Sequence, residues 1–112
     1  MSESIRPGTR HAQSLMMQPG KEMDAKVAEY VFGDRLGSGP WPAYSTDLGA
    51  AWKIVDATCD EGYRLQLSGG RSWVARFYKS VAKTLETRAF ERTASTPAEA
   101  ICLAALEMNG GI

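Results

Sequence analysis

The chain has 112 residues, enough for one domain around one core, and its 44% hydrophobic and 23% charged residues are the proportions of an ordinary soluble globular protein. Formal net charge is zero, so bulk charge does not mark the chain as a nucleic-acid binder. No apolar run approaches the length of a bilayer span and no apolar stretch follows the charges at the N-terminus; a cytoplasmic protein without a secretory signal is expected.

The zero hides a segregation. Residues 22–61 carry eight acids and three bases, a balance of −5, whereas residues 62–92 carry seven bases and two acids, a balance of +5. The acids fall on predicted helices and the bases on predicted strands. Helix–sheet complementarity and charged edge strands that resist aggregation account for this pattern. A cationic strand surface that meets an anionic partner accounts for it as well.

In chain order, residues 1–20 lack any period and read as a flexible arm ending at Gln18-Pro19-Gly20; Leu15-Met16-Met17 is its one apolar spot. Residues 21–112 then read as one domain. Lys21–Phe32 is a short helix whose Met23, Val27, Tyr30 and Val31 share a face, with Gly33 as its stop. Asp34–Ala43, with Gly37, Gly39, Pro40 and Pro42, is a loop stiffened by its prolines.

A second helix starts at Ser45 or Thr46 as cap, with Asp47 in the first turn and Leu48, Ala51, Trp52, Val55 and Cys59 on one stripe. Gly49 inside it costs about 1 kcal/mol relative to alanine, which points to a close approach by another element. Gly62 breaks the helix after Asp60.

Tyr63–Leu67 and Ser72–Lys79 alternate as two strands around a Ser68-Gly69-Gly70-Arg71 turn. A two-residue turn puts Trp73 and Phe77 opposite the leucine face; a three-residue turn with a bulge brings them onto it. Large apolar residues on both sides of the second strand argue for a sheet covered, at least partly, on both faces. Thr84–Arg92, with Leu85, Thr87 and Ala89 alternating, is a weaker edge strand. Thr96, Pro97 and Glu99 form the capping signature of a last helix, in which Ile101, Cys102, Ala105 and Met108 share a face before Asn109-Gly110-Gly111.

The order of these pieces resembles the phage ABA sandwich domain, a family of small phage and prophage proteins. The resemblance rests on residues 22–33, on Pro42-Ala43-Tyr44-Ser45-Thr46-Asp47 leading to Ala50-Ala51-Trp52, and on Trp73-Val74-Ala75-Arg76-Phe77. Glu86-Thr87, Ala89 and the final run 98–106 complete it. It implies an α+β fold, an α/β/α sandwich with helices packed on the faces of a small antiparallel sheet of about three strands. It implies no activity and no catalytic or binding residues.

Candidates for chemistry are thin. Ser45, Thr46 and Asp47 are the residue types of a helix cap. Asp56, Asp60 and Glu61 read as a solvated acidic face, and Gly37-Ser38-Gly39 and Gly69-Gly70 lack the Lys-Ser/Thr of a phosphate loop. Cys59 and Cys102 are expected to be reduced and buried; with His11 the only histidine, they cannot close a zinc site without carboxylates, and neither metal nor cofactor is expected.

No enzyme is expected, a small hydrolase being the least favoured reading. The Trp41-Pro42-Ala43-Tyr44 loop is the best patch for a protein partner, with Trp41 and Tyr44 as anchors. Arg64, Arg71, Arg76 and Lys79, interleaved with Tyr63, Trp73, Phe77 and Tyr78, are the anion-binding candidates for nucleic acid or a nucleotide. The expected function is therefore stoichiometric binding by a phage or prophage accessory protein. Its partner would be a host or phage protein, with a homodimer or a nucleic-acid or nucleotide module as alternatives, and inhibition of a host defence factor is the most concrete version.

Overall fold

The computed structural model describes residues 18–34, 39–81 and 86–112. The arm to residue 17, with His11 and Leu15-Met16-Met17, lies outside the described residues, as do Gly37, Ser38, Lys83, Thr84 and Leu85. Three helices and three strands follow one another: α1 (Lys21–Tyr30), α2 (Leu48–Asp60), β1 (Arg64–Gly69), β2 (Trp73–Val81), β3 (Glu86–Ala94) and α3 (Pro97–Met108). The strands form an antiparallel sheet in the order β1-β2-β3, so the fold is α+β as expected. No helix among the described residues is long and apolar enough to cross a membrane.

The organising element is α3. Thr96 caps it, its hydroxyl accepting the Glu99 N–H at 3.2 Å, and Pro97 occupies the first turn, where no N–H is needed. Every residue from Ala100 to Leu106 is buried, so this stretch of the helix has no solvent face. The predicted Ile101–Cys102–Ala105 stripe is part of this, but a stripe understates it. A helix apolar all round must be covered all round. β2 and β3 lie against one side, and α1 and α2 against the others. Alanines at 98, 100, 104 and 105 keep its surface low enough for these neighbours to approach.

The hairpin settles the register. Gly69 pairs with Trp73 across a three-residue loop, so Leu67 faces Ala75 and Leu65 faces Phe77. An odd loop keeps the leucines, Trp73, Ala75 and Phe77 on one face, the one that packs on the core. Gly69 is required there, since a Cβ would lie 2.7 Å from the Trp73 ring. On β3 the same face carries Phe90, opposite Phe77, and Ala94; the predicted alternation through Thr87 and Ala89 is the exposed side of that strand.

The second face of the sheet was expected to be covered at least in part. Among the described residues no helix covers it: Arg64, Gln66, Ser68, Ala89, Glu91 and Thr93 are exposed. What cover there is comes from β2 itself, where Val74, Arg76 and Tyr78 are half-buried and the Arg76 guanidinium lies 5.0 Å from the Tyr78 ring centre. The physical reason is α3: it draws the other two helices to its own side.

Just past the end of helix α1, Gly33 turns the chain away with a φ of +76°, the left-handed conformation that favours glycine. Asp34 N–H donates to the Ala28 carbonyl at 2.8 Å and Gly33 N–H to that of Glu29 at 3.0 Å. Met23, Val27 and Ala28 are buried and Val31 half-buried, whereas Tyr30, expected on the same face, is exposed.

The cap of α2 is Asp47, not Ser45 or Thr46. Its carboxylate accepts the Gly49 N–H at 3.1 Å, one residue after the helix begins. Gly49 is exposed, and nothing but Asp47 would meet a Cβ there, so the expected close approach does not occur. Ser45 has another task. Its backbone N–H and its hydroxyl both donate to Asp24 Oδ1, at 2.8 and 2.7 Å, and its hydroxyl accepts the Gly20 N–H at 2.8 Å. Asp24 and Ser45 are buried at 7% and 1% exposure. This node ties the first turn of α1 to the chain just before α2, and a buried carboxylate is tolerable only because it is hydrogen-bonded.

Replacing Ser45→Ala strands the Gly20 N–H and removes one donor from Asp24, and should lower stability by about 1–3 kcal/mol in urea melts. The neighbouring exposed Thr46→Ala should stay within about 0.5 kcal/mol. Equal losses at the two positions would show that the node is not structural. Ala104→Leu, which inserts bulk into the enclosed face of α3, should cost about 1–3 kcal/mol; an unchanged melting midpoint would mean α3 is looser than its burial indicates.

Candidate functional site

The core face of α2 is Ala51, Ile54, Val55 and Thr58, spaced i, i+3, i+4, i+7. The stripe read from the sequence omitted Ile54 and included residues one flank away. Leu48, Trp52 and Cys59 recur at i, i+4 and i+11 on that flank, and all three are exposed, Leu48 at 42% and Trp52 at 45%. The helix therefore carries an apolar band wider than its partner elements cover. A sequence pattern shows the width of such a band but not which half is buried.

The uncovered half borders a cleft of about 590 Å³ between α2 and the edge strand β1, lined by Trp52, Val55 and Cys59 from the helix and by Tyr63, Arg64, Leu65 and Tyr78. Beside it lies a second hollow of about 440 Å³, lined by Gly62, Arg64, Tyr78, Lys79 and Ser80. The first is walled mainly by apolar and aromatic side chains; the second brings together two cations, a phenol and a hydroxyl.

Of the four predicted anion-binding residues, the structure brings Arg64 and Lys79 to this notch. Lys79 Nζ donates to the Glu61 carbonyl at 3.1 Å and lies 4.9 Å from the Tyr63 ring centre, so its ammonium is held in place. Arg76 stands on the open sheet face, beside Tyr78 and 3.9 Å from Glu91. Arg71 is exposed in the hairpin loop, at the opposite end of β2 from Lys79. The four do not form one patch. Among the aromatics interleaved with them, Phe77 is core, Tyr63 is buried and Trp73 is half-buried against the core.

The Trp41–Tyr44 loop is turned inward more than expected. Tyr44 is buried at 6% exposure and stacks on Phe32 with ring centres 5.4 Å apart. Burial, with Asp24 and Asp34 nearby, pushes its phenol above the usual range. Trp41 is half-buried against the core and its indole N–H donates to Asp34 Oδ2 at 3.2 Å. Tyr44 is therefore part of the core, and the aromatics left exposed among the described residues are Tyr30, Phe32 and Trp52. Asp56, Asp60 and Glu61 are exposed at the end of α2, as a solvated acidic face requires.

The α+β arrangement, with one three-stranded antiparallel sheet and a final enclosed helix, defines a small helix-and-sheet sandwich. A family model described as the phage ABA sandwich domain matches residues 25–106, and the chain belongs to that family. The matched region includes α2, β1, β2 and thus both hollows. No curated protein and no solved structure matches the chain.

The two cysteines differ in kind. Cys102 lies inside α3 and is fully buried, and burial pushes its thiol far up, with Asp24 and Glu99 adding to the shift; Cys59 is exposed at the cleft, against the expectation that both are buried. A thiol reagent should modify Cys59 in the native protein and reach Cys102 only on unfolding; two equally fast thiols would contradict this. Because the folded state holds the Cys102 proton more tightly than the unfolded state, its contribution is intact below the unfolded thiol value of about 8.5 and is lost above it. Stability should fall by about 1.4 kcal/mol per pH unit there, and Cys102→Ala should flatten that slope.

Proposed function

We propose that this protein acts by stoichiometric binding of a partner protein and performs no chemistry of its own, the partner docking on the Leu48–Trp52–Cys59 flank of α2. The observation that carries this reading is the pair Leu48 and Trp52, one helical turn apart, both large, apolar and more than 40% exposed beside an apolar cleft. An exposed tryptophan set against a concave surface is the kind of residue that dominates binding energy at interfaces. Val55, Tyr63 and Leu65 supply the floor into which a partner's side chain fits.

Membership of a phage-associated family supports a setting inside an infected or lysogenic host, in its cytoplasm. There the most concrete role is inhibition of a host factor, a component of an antiviral defence system being the leading case. A rigid helix flank presents the contact with its backbone already ordered, so only side-chain freedom is lost on binding.

The test compares the native chain with Leu48→Ser/Trp52→Ser by crosslinking capture from infected host cells, alongside plating of phage that carry or lack the gene on defended hosts. One partner should be retained by the native chain and lost by the variant, with affinity reduced roughly thirtyfold or more and an unchanged melting temperature. That partner should also slow Cys59 modification. Capture that is indifferent to the double substitution, or a deletion without any plating defect, would overturn the reading.

A further inference from the structure

The apolar cleft and the cationic notch share two lining residues, Arg64 and Tyr78, so together they make one surface region with two chemistries. We propose that it is a site for a small organic phosphate bearing a flat ring, a nucleotide in chemical class. The proposal takes in both hollows: its apolar end shares Trp52, Val55, Tyr63 and Leu65 with the protein-docking surface, and its cationic end, Arg64 and Lys79, is its own.

At the polar end Arg64 offers a planar fork suited to two phosphate oxygens, and it is exposed, with no salt bridge to another described residue. Lys79 adds a second positive charge. The Glu61 carbonyl takes one of its three N–H donors and the Tyr63 ring supports it from below, which leaves donors for an anion and fixes the ammonium before one arrives. Ser80 contributes a hydroxyl. Gly62 lines the same end, its φ of +96° being the left-handed conformation that favours glycine.

At the apolar end the exposed Trp52 ring supplies aromatic surface, and Val55, Tyr63, Leu65 and Tyr78 line the cleft with it. Aromatic side chains beside basic ones are what nucleobases and phosphates jointly require, and stacking on them tolerates any base. Each hollow lies within the roughly 300–1,000 Å³ typical of small-ligand sites. Neither half alone selects a nucleotide: a bare anion notch takes phosphate, and a bare apolar cleft takes any hydrophobe. Their junction at Arg64 and Tyr78 is what discriminates.

The experiment is calorimetric titration of the full chain at low salt with adenosine, guanosine, cytidine and uridine 5′-monophosphates, with adenosine and with inorganic phosphate, followed also by tryptophan emission. A monophosphate should bind and quench emission, and adenosine and phosphate should each bind at least about tenfold more weakly. Arg64→Ala, at an exposed position, should weaken the monophosphate about tenfold or more without altering the fold, Lys79→Met should do the same, and Trp52→Leu should abolish the quench. Phosphate binding as tightly as the nucleotides would overturn the proposal, as would silence across the panel or an Arg64→Ala protein that binds normally. Partner capture through Leu48 and Trp52 is expected to survive Arg64→Ala, so the two readings fail separately.

Discussion

One constraint shapes this molecule: a helix whose central seven residues water does not touch. Ala100–Leu106 is buried without interruption, and a chain of this size has few elements with which to surround it. The sheet covers one side through Ala75, Phe77 and Phe90, and α1 and α2 close the rest. Fully burying a side chain such as Phe77, Ile101 or Leu106 is worth about 1.5–3 kcal/mol, so leaving any side of α3 open would forfeit several such gains. Among the described residues the sheet keeps an open second face and α2 an uncovered flank, because the covering elements are taken up by α3.

The polar contacts serve the same end. Asp24, Ser45 and Gly20 lock the start of α1 to the approach of α2, so that the two helices arrive at α3 as a pair. At the other end Arg92 reaches from β3 to Glu107 on α3, with 3.0 Å between Nε and Oε1. That ion pair is partly exposed and contributes little energy, but it aligns strand and helix. The buried node matters more, since its groups have no water to return to.

The sequence makes some of this legible and conceals the rest for identifiable reasons. Turn and cap chemistry is local, so Thr96, Pro97, Gly33 and Gly62 mark the element ends correctly. The choice between hairpin registers is not local: Ser68-Gly69-Gly70-Arg71 allows loops of two or three residues, and the Trp73 ring on Gly69 decides. In α2 nearly every residue from Leu48 to Val55 is apolar or small, so periodicity admits two overlapping stripes. The one containing Ile54 wins because it faces α3, and Trp52 is thereby left outside. Ser45 was readable as a cap because a cap and a buried hydrogen-bond donor use the same residue types. Its true partner, Asp24, lies 21 positions away. The anion candidates were readable as bases on strands, but which of them converge depends on sheet geometry, and of the four only Arg64 and Lys79 line the same hollow.

The candidate surfaces follow from the fold. A helix flank left uncovered beside an edge strand makes a cleft, and the strand's basic end turns one side of that cleft cationic. The whole account therefore depends on α3 being the last element to lose its structure. Native-state hydrogen exchange measures this directly. Amides of Ile101–Leu106 should exchange most slowly, with an opening free energy equal to that of global unfolding. Exchange in α3 that is faster than in α1 or α2, through a local opening that leaves those helices protected, would contradict the account.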